Sequence, residues 1–344
     1  MAASPEDRYS RQVLFAPIGA EGQARLRASR VLLAGCGGLG AESAGLLARS
    51  GVGFLRIVDR DLVEITNLQR QALFDEEDVR EGVPKAVAAA RRIAEINSEV
   101  TVEPIVTDIH SGNILDLVAG VDFVVDGFDN FEGRLLLNDA CVRRGIPWVY
   151  GACVGSAGLS TLVVPGRTPC LRCLQSELPA PGAAPTCDTV GILGPIAHLV
   201  ASLEVAQALR WLVTREAPDP PVLVTVDVWS LEVRRVELPA RKALAGCPCC
   251  AEGRFDFLDA PSIPAEALCG RDTVLVRSRS GVSPAFGELA ERLRPLGEVH
   301  LSEFVLRFRI PPYELTLFHD GRTIVKGTND TALARSLVAR YFGV

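Results

Sequence analysis

The stretch VLLAGCGGLG, residues 31–40, decides the fold. Its first four residues are an apolar run, short enough for a buried strand and too short for a helix. Gly35 permits the sharp turn out of that strand, Gly37 lets main chain approach a phosphate, and Gly40 lets the next helix pack closely. Residues 41–50 read as that helix, and a second apolar run at 54–58 completes a strand–helix–strand unit. The helix N-terminus turns its partial positive charge towards the glycines. An open α/β sheet with an anion site at the end of its first strand follows.

The next segments decide which anion. Asp59-Arg60-Asp61 ends the second strand, Asn67-Leu68-Gln69-Arg70-Gln71 comes soon after, and Pro84-Lys85 opens another helix. An acidic residue at Asp59 suits a ribose hydroxyl in either NAD or ATP. Arg70 and Lys85 favour ATP, because a triphosphate whose phosphoryl bond breaks needs cationic partners. Asp126, Asp129 and Asn130 end a further strand on the same edge, where Asp129 is placed to hold magnesium between phosphate oxygens. An NAD-dependent oxidoreductase would share the glycine loop and Asp59 and leave Arg70 and Lys85 unexplained.

The remaining pattern extends one sheet. Residues 85–97 have helical spacing, 101–106 and 121–126 read as strands, 135–144 as a helix and 147–150 as a strand. Strands at 160–164, 222–228 and 232–238 read as having no intervening helix, which predicts antiparallel additions. The fold class is α/β: a Rossmann-like doubly wound mixed sheet over residues 1–252, with a small C-terminal α+β domain over 253–344. Residues 165–195, rich in Pro, Gly, Cys and Ala, predict a loop crossing the site. In the second domain, 273–279, 299–309, 313–318 and 322–326 read as strands and 285–296 and 329–342 as helices. His319-Asp320-Gly321 marks a hairpin, and Asn329 or Asp330 a helix cap.

Composition bounds the function. The chain has 344 residues, enough for about two domains. A net charge of −6 argues against a broad nucleic-acid surface. The N-terminus lacks an apolar signal region, and the apolar stretch 195–213 is broken by His198, Glu204, Gln207 and Arg210, so no membrane association and a cytoplasmic setting are expected. The ten cysteines then read as thiols rather than disulfides. Cys170/Cys173 and Cys247/Cys250 are two C-x-x-C pairs, the pattern of a closed structural zinc site. Cys249 stands inside the second pair and leaves the ligand choice there open. Cys187 is a candidate reactive thiol, with Cys36, Cys141 and Cys153 expected to be buried and inert. No H-x-E, H-E-x-x-H or G-x-S-x-G motif occurs, which leaves hydrolytic chemistry without support.

Together with Arg8-Tyr9-Ser10-Arg11-Gln12, these segments resemble the ThiF/MoeB-type adenylyltransferases, relatives of the ubiquitin-activating enzymes, over about residues 6–252. The whole chain resembles the longer thiamine-pathway members, and its C-terminal unit is lacking in typical MoeB proteins, which favours the thiamine branch. The resemblance implies that Gly35, Gly37, Gly38, Gly40, Asp59, Asp61, Asn67, Gln69, Arg70, Lys85, Asp129 and Asn130 hold ATP and magnesium. It implies a homodimer in which Arg11 enters the partner's site. It also implies a sulfur link at Cys187, although Asp188 and Thr189 depart from the pattern there. The implied reaction is adenylation of the C-terminal Gly-Gly carboxylate of a ubiquitin-like sulfur carrier of the ThiS type, with a MoaD-type carrier as the alternative. A sulfur donor such as a cysteine desulfurase would then lead to the thiocarboxylate. A non-catalytic scaffold binding the same carrier is the rival from another class, and it need not keep Arg11, Arg70, Lys85 and Asp129 together.

Overall fold

The computed structural model describes residues 8–175, 186–240, 246–261, 265–267, 272–277 and 285–343. They form two compact units, one of residues 1–79 and 84–260, the other of 80–83 and 261–344.

The first unit is built on one eight-stranded sheet. Strands β1 (Arg30–Ala34), β2 (Phe54–Asp59), β3 (Thr101–Val106), β4 (Phe123–Asp126) and β5 (Trp148–Val154) are parallel, in the order β3-β2-β1-β4-β5. Strands β6 (Ala157–Val163), β7 (Val222–Asp227) and β8 (Glu232–Glu237) continue it antiparallel as expected, although, contrary to the sequence reading, the helix Gly194–Thr214 lies between β6 and β7. Strands β1 and β4 are buried along most or all of their length, which is why they read as unbroken apolar runs. The order reverses at β1, whose neighbours β2 and β4 lead in opposite directions. A ligand crevice opens at such a reversal, outside the carboxyl ends of the strands.

Two helices back this point. Gly38–Arg49 follows the glycine loop, and Gly194–Thr214 packs against it and against β5 and β6. By length and composition Gly194–Thr214 would also pass for a membrane span. Here it is a core helix, burying Ile196, Ala197, Val200 and Ala201 with Leu39 and Val226. Residues 253–260 pack with the first unit, beyond the boundary at 252 read from the sequence. Phe255, Phe257 and Leu258 join the apolar cluster around Cys170 and Cys247.

The second unit is α+β. Its sheet runs β11-β12-β13-β14-β10-β9, from β9 (Ala265–Ala267), β10 (Thr273–Val276), β11 (Glu298–Leu301), β12 (Val305–Ile310), β13 (Tyr313–Phe318) and β14 (Thr323–Lys326), all antiparallel. Helices Phe286–Leu293 and Thr331–Tyr341 cover one face. The expected single strand at 299–309 is instead the hairpin β11–β12. Ser302 turns the chain, its hydroxyl accepting from the amides of Phe304 and Val305, each at 3.2 Å. The Asp320-Gly321 hairpin joins β13 to β14, and Asp330 caps the last helix by accepting from Ala332 and Leu333.

Candidate active site

The glycine loop owes its shape to contacts between main chains. Pairing of Ala34 with Asp126 sets Gly35 beside Gly127. A Cβ on Gly35, whose φ is +100°, would stand 2.5 Å from the Gly127 carbonyl oxygen, and one on Gly127 or Gly40 would overlap the Gly35 carbonyl. Gly127 was not nominated from the sequence, and its need follows only from strand pairing. The Gly38–Arg49 helix starts at Gly37 with no side chain capping it, so its first amides remain for an anion. Asp59 closes the loop from beneath. Its carboxylate accepts from Cys36 N at 2.6 Å and Asp61 N at 2.7 Å. Burial pushes the Asp59 carboxyl up, and Lys85 opposes that.

Lys85 is buried at the N-terminus of its helix, where a cation works against the helix dipole. Asp61 accounts for this placement. Its main-chain oxygen accepts the Lys85 amide at 2.9 Å, and its carboxylate meets the ammonium at 3.1 Å. Burial works to lower the Lys85 pKa, but Asp61 and Asp59 outweigh it and hold the ammonium charged. Arg60 bonds Asp108 at 2.8 Å, a second acidic partner that the sequence reading missed. Asn67 is buried, and its side-chain oxygen accepts from Glu64 N, shaping the turn that leads to Arg70. Arg70 reaches the glycine loop, its Cδ lying 3.7 Å from the position a Gly38 Cβ would take. Gln69 is exposed, with its carbonyl oxygen close to Gly194. Gln71, also not nominated, is buried beside Gly37, and its Oε1 has no partner among the described residues.

The end of β4 completes the crevice. Asn130 caps the Phe131–Arg144 helix through Gly133 N at 2.8 Å and donates to Asp129 at 3.1 Å. Asp129 itself is exposed, and its charge is felt by Lys85, Arg60 and Arg134. Arg134 braces this turn from below. It bonds Asp126 at 3.1 Å, the Phe128 carbonyl at 2.7 Å and the Gly151 carbonyl at 3.2 Å. Burial pushes Asp126 up to about 6 against the pull of Arg134. Arg134 lies inside a helix pattern, so periodicity gave no sign of this role.

Two nominated residues stand apart. Arg11 is exposed on the short helix Ser10–Val13, and among the described residues no hydrogen bond or ion pair joins it to the crevice. Cys187 opens the helix Cys187–Val190, half-buried, with its thiol 3.7 Å from the Cys153 carbonyl. Burial pushes the Cys36 and Cys141 thiols well up and Cys153 to about 12, in keeping with inert positions. The centre of the predicted crossing loop, residues 176–185, lies outside the described residues.

The four cysteines do meet. A tetrahedral zinc with Zn–S bonds of about 2.3 Å holds its sulfurs about 3.8 Å apart. Cys170 lies 3.8 Å from Cys173 and 3.7 Å from Cys247, and Cys173 lies 3.4 Å from Cys250. The four sulfurs all fall within 4.8 Å of one another, a set that fits zinc. Cys249 is not one of this set; its sulfur accepts from Asn138 Nδ2 at 3.3 Å and also neighbours Cys170. Of the two neighbours, it is Cys250 whose sulfur falls within the set of four.

Comparison with known proteins agrees with this architecture. The sequence matches the ThiF family over residues 9–249, and the chain belongs to that family. It is 46% identical to the sulfur carrier protein ThiS adenylyltransferase of Bacillus subtilis, over 98% of this chain and 99% of that protein. It is 40% identical to the SAMP-activating enzyme E1 of Haloferax volcanii, over 75% of this chain and 93% of that one. Among solved structures, Escherichia coli MccB with ATP superposes with a TM-score of 0.58 at 25% identity, covering 69% of this chain and 72% of that one.

Proposed function

We propose that this protein uses ATP to adenylate the C-terminal glycine carboxylate of a ubiquitin-like sulfur carrier of the ThiS type, releasing pyrophosphate. The observation that carries this reading is the convergence of the uncapped glycine-loop helix, Arg70, buried Lys85 and exposed Asp129 at the β1/β4 reversal. The full-length likeness to a ThiS adenylyltransferase, C-terminal unit included, supports the thiamine branch.

The chemistry asks little of acids and bases. The carrier's carboxylate is ionised at neutral pH and attacks the α-phosphorus without a general base. The protein has to bring two anions together and hold them in line. The loop amides receive phosphate oxygens, and Arg70 and Lys85 oppose the charge that builds as pyrophosphate leaves. Asp61 keeps Lys85 charged and aimed, and Asp59 keeps the loop in shape. Magnesium, held by Asp129, would supply further neutralisation of the phosphate oxygens. Zinc at Cys170, Cys173, Cys247 and Cys250 would be structural, since four thiolates leave no open position.

Three further points belong to this reading. The enzyme works as a cytoplasmic homodimer in which Arg11 of each subunit serves the other's site. A cysteine desulfurase supplies the sulfur that converts the acyl-adenylate to a thiocarboxylate, with Cys187 as the candidate covalent relay. The carrier's folded body lands on the β7–β8 hairpin, where Trp229 and Leu231 are 81% and 84% exposed at the same end of the sheet as the crevice. Large apolar side chains so exposed are the kind a protein partner covers.

The test is exchange of labelled pyrophosphate into ATP with full-length carriers and with carriers lacking the last glycine. Exchange that ignores the terminal glycine would sink the reading. Equal use of a MoaD-type carrier would keep the chemistry and overturn the thiamine assignment.

A further inference from the structure

One buried acid has no part in the chemistry above. Glu204, in the middle of the Gly194–Thr214 helix, is 0% exposed, and neither carboxylate oxygen has a hydrogen-bond partner among the described residues. Ser43, on the helix that leaves the glycine loop, is equally buried, and its hydroxyl acts on the Glu204 carboxyl without forming a well-aligned hydrogen bond to it. A buried polar group left this way is destabilising, so its presence asks for a reason.

The surroundings of Glu204 supply one. Its carboxyl fills the space that a side chain at position 151 would take, since a Cβ on Gly151 would overlap Oε1. The carbonyl of Gly151 is one of the three oxygens that anchor Arg134, with Asp126 and the Phe128 carbonyl as the others. Glu204 thus rests on the strand residue that seats the brace beneath Asp129. Asp126 and Arg134 already balance each other, and a second ionised carboxylate in the same dry volume would stand uncompensated. Burial, then the charge of Asp126, raises the Glu204 carboxyl well above its ordinary range, against the pull of Arg134 and Ser43. The Ser43 hydroxyl is the polar side chain acting on that carboxyl, and it pulls the other way, as a donor to the charged form. The groups facing Glu204 are Asp126, Arg134, Ser43 and the Cys153 thiol.

We propose that Glu204 is a positioning residue for adenylation: wedged between Ser43 and the Gly151–Arg134 brace, it sets the turn that carries Asp129 at its distance from the glycine loop. The inference rests on the function proposed above, so its test carries a readout that does not need the carrier. Wild type, Glu204→Gln and Glu204→Leu are compared by carrier-dependent pyrophosphate exchange from pH 6 to 9.5, by magnesium–ATP titration and by thermal stability across the same range.

Glu204→Gln should keep turnover within about twofold, because the amide retains a donor. It should also remove a reversible loss of turnover that wild type shows at alkaline pH, as the acid ionises against Asp126. Glu204→Leu should fold at least as stably and yet bind ATP and turn over about tenfold less well, the effect of losing about 1.4 kcal/mol of positioning. The stability sign follows from the acid's raised folded pKa. Across the tested range wild type loses stability relative to Glu204→Gln as pH rises towards that folded value. Wild-type ATP binding and turnover in a folded Glu204→Leu protein, or an unchanged alkaline limb in Glu204→Gln, would overturn the proposal. Absence of exchange in wild type, with ATP binding intact, would instead defeat the carrier reading and leave the ATP titration of Glu204→Leu to decide this one.

Discussion

The crevice at β1/β4 and the four-cysteine cluster are both assembled from segments far apart in sequence, yet they are built on opposite plans. The cluster is closed. Its sulfurs face one another inside an apolar shell that includes Leu171, Phe257 and Leu258. The crevice mixes buried and open charge. Lys85 and Asp126 are buried and paired, while Asp129 faces solvent and the helix after Gly37 is uncapped. A site meant to hold its ion permanently satisfies every ligand internally. One meant to bind and release leaves some of its polar groups for the substrate, and keeps them in place with a layer of paired charge beneath.

That contrast separates variants by what they damage. The largest effect is expected at the closed site. Cys170→Ala should lose the zinc, and melting should fall by roughly 10 °C or more, since a structural zinc stabilises by several kcal/mol. Metal analysis with calorimetry checks this, and a folded, metal-free wild type would erase the distinction between the two sites. Next is Asp129→Ala at the open site, with turnover down roughly 100-fold and little change in melting temperature, as for loss of a main electrostatic stabiliser by an exposed residue. Exchange that persists in this variant would remove Asp129 from the crevice's working set.

Smaller effects test the rims. Mixing inactive Arg11→Ala and Asp129→Ala subunits should recover about a quarter of wild-type activity, because half the dimers formed at random carry one complete site. No recovery after proven subunit exchange would confine each site to one chain. Trp229→Ala should raise the carrier KM about tenfold and leave the ATP KM unchanged, the signature of an apolar anchor lost from a binding surface. A matching rise in the ATP KM would mean that the hairpin supports the crevice instead. Cys187→Ser should hold pyrophosphate exchange within about twofold, since a carboxylate attacking phosphorus uses no thiol. Loss of exchange equal to loss of thiocarboxylate would make that thiol part of the nucleotide site.

Much of this molecule was legible along the chain. Residues 31–40 and 54–58 named the strand–helix–strand unit because strand and helix periods and glycine positions are local properties. The C-x-x-C pairs announced a four-thiolate set for the same reason. Two expectations shifted in the second unit and at its border. The 299–309 run was split by Ser302, whose hydroxyl turn a β pattern does not display, and residues 253–260 went with the first unit because their aromatic side chains pack there.

What the sequence determined by itself, then, was the kind of residue at each strand end: glycines for an anion, Asp59 and Asp61, Arg70, Lys85 and Asp129 for charge, and four thiols for a metal. Tertiary structure alone decided which of them meet. Gly127 is required only because β1 pairs with β4, and Arg134 reaches Asp126 and Gly151 only once its helix lies beneath the turn. Cys249 meets Asn138, 111 positions away. The Glu204 carboxyl is pushed up only because helix, strand and brace enclose it together. Local pattern encodes conformation and residue chemistry. Burial, charge pairing and close approach depend on distances through space, and those exist only after the sheet has closed around its switch point.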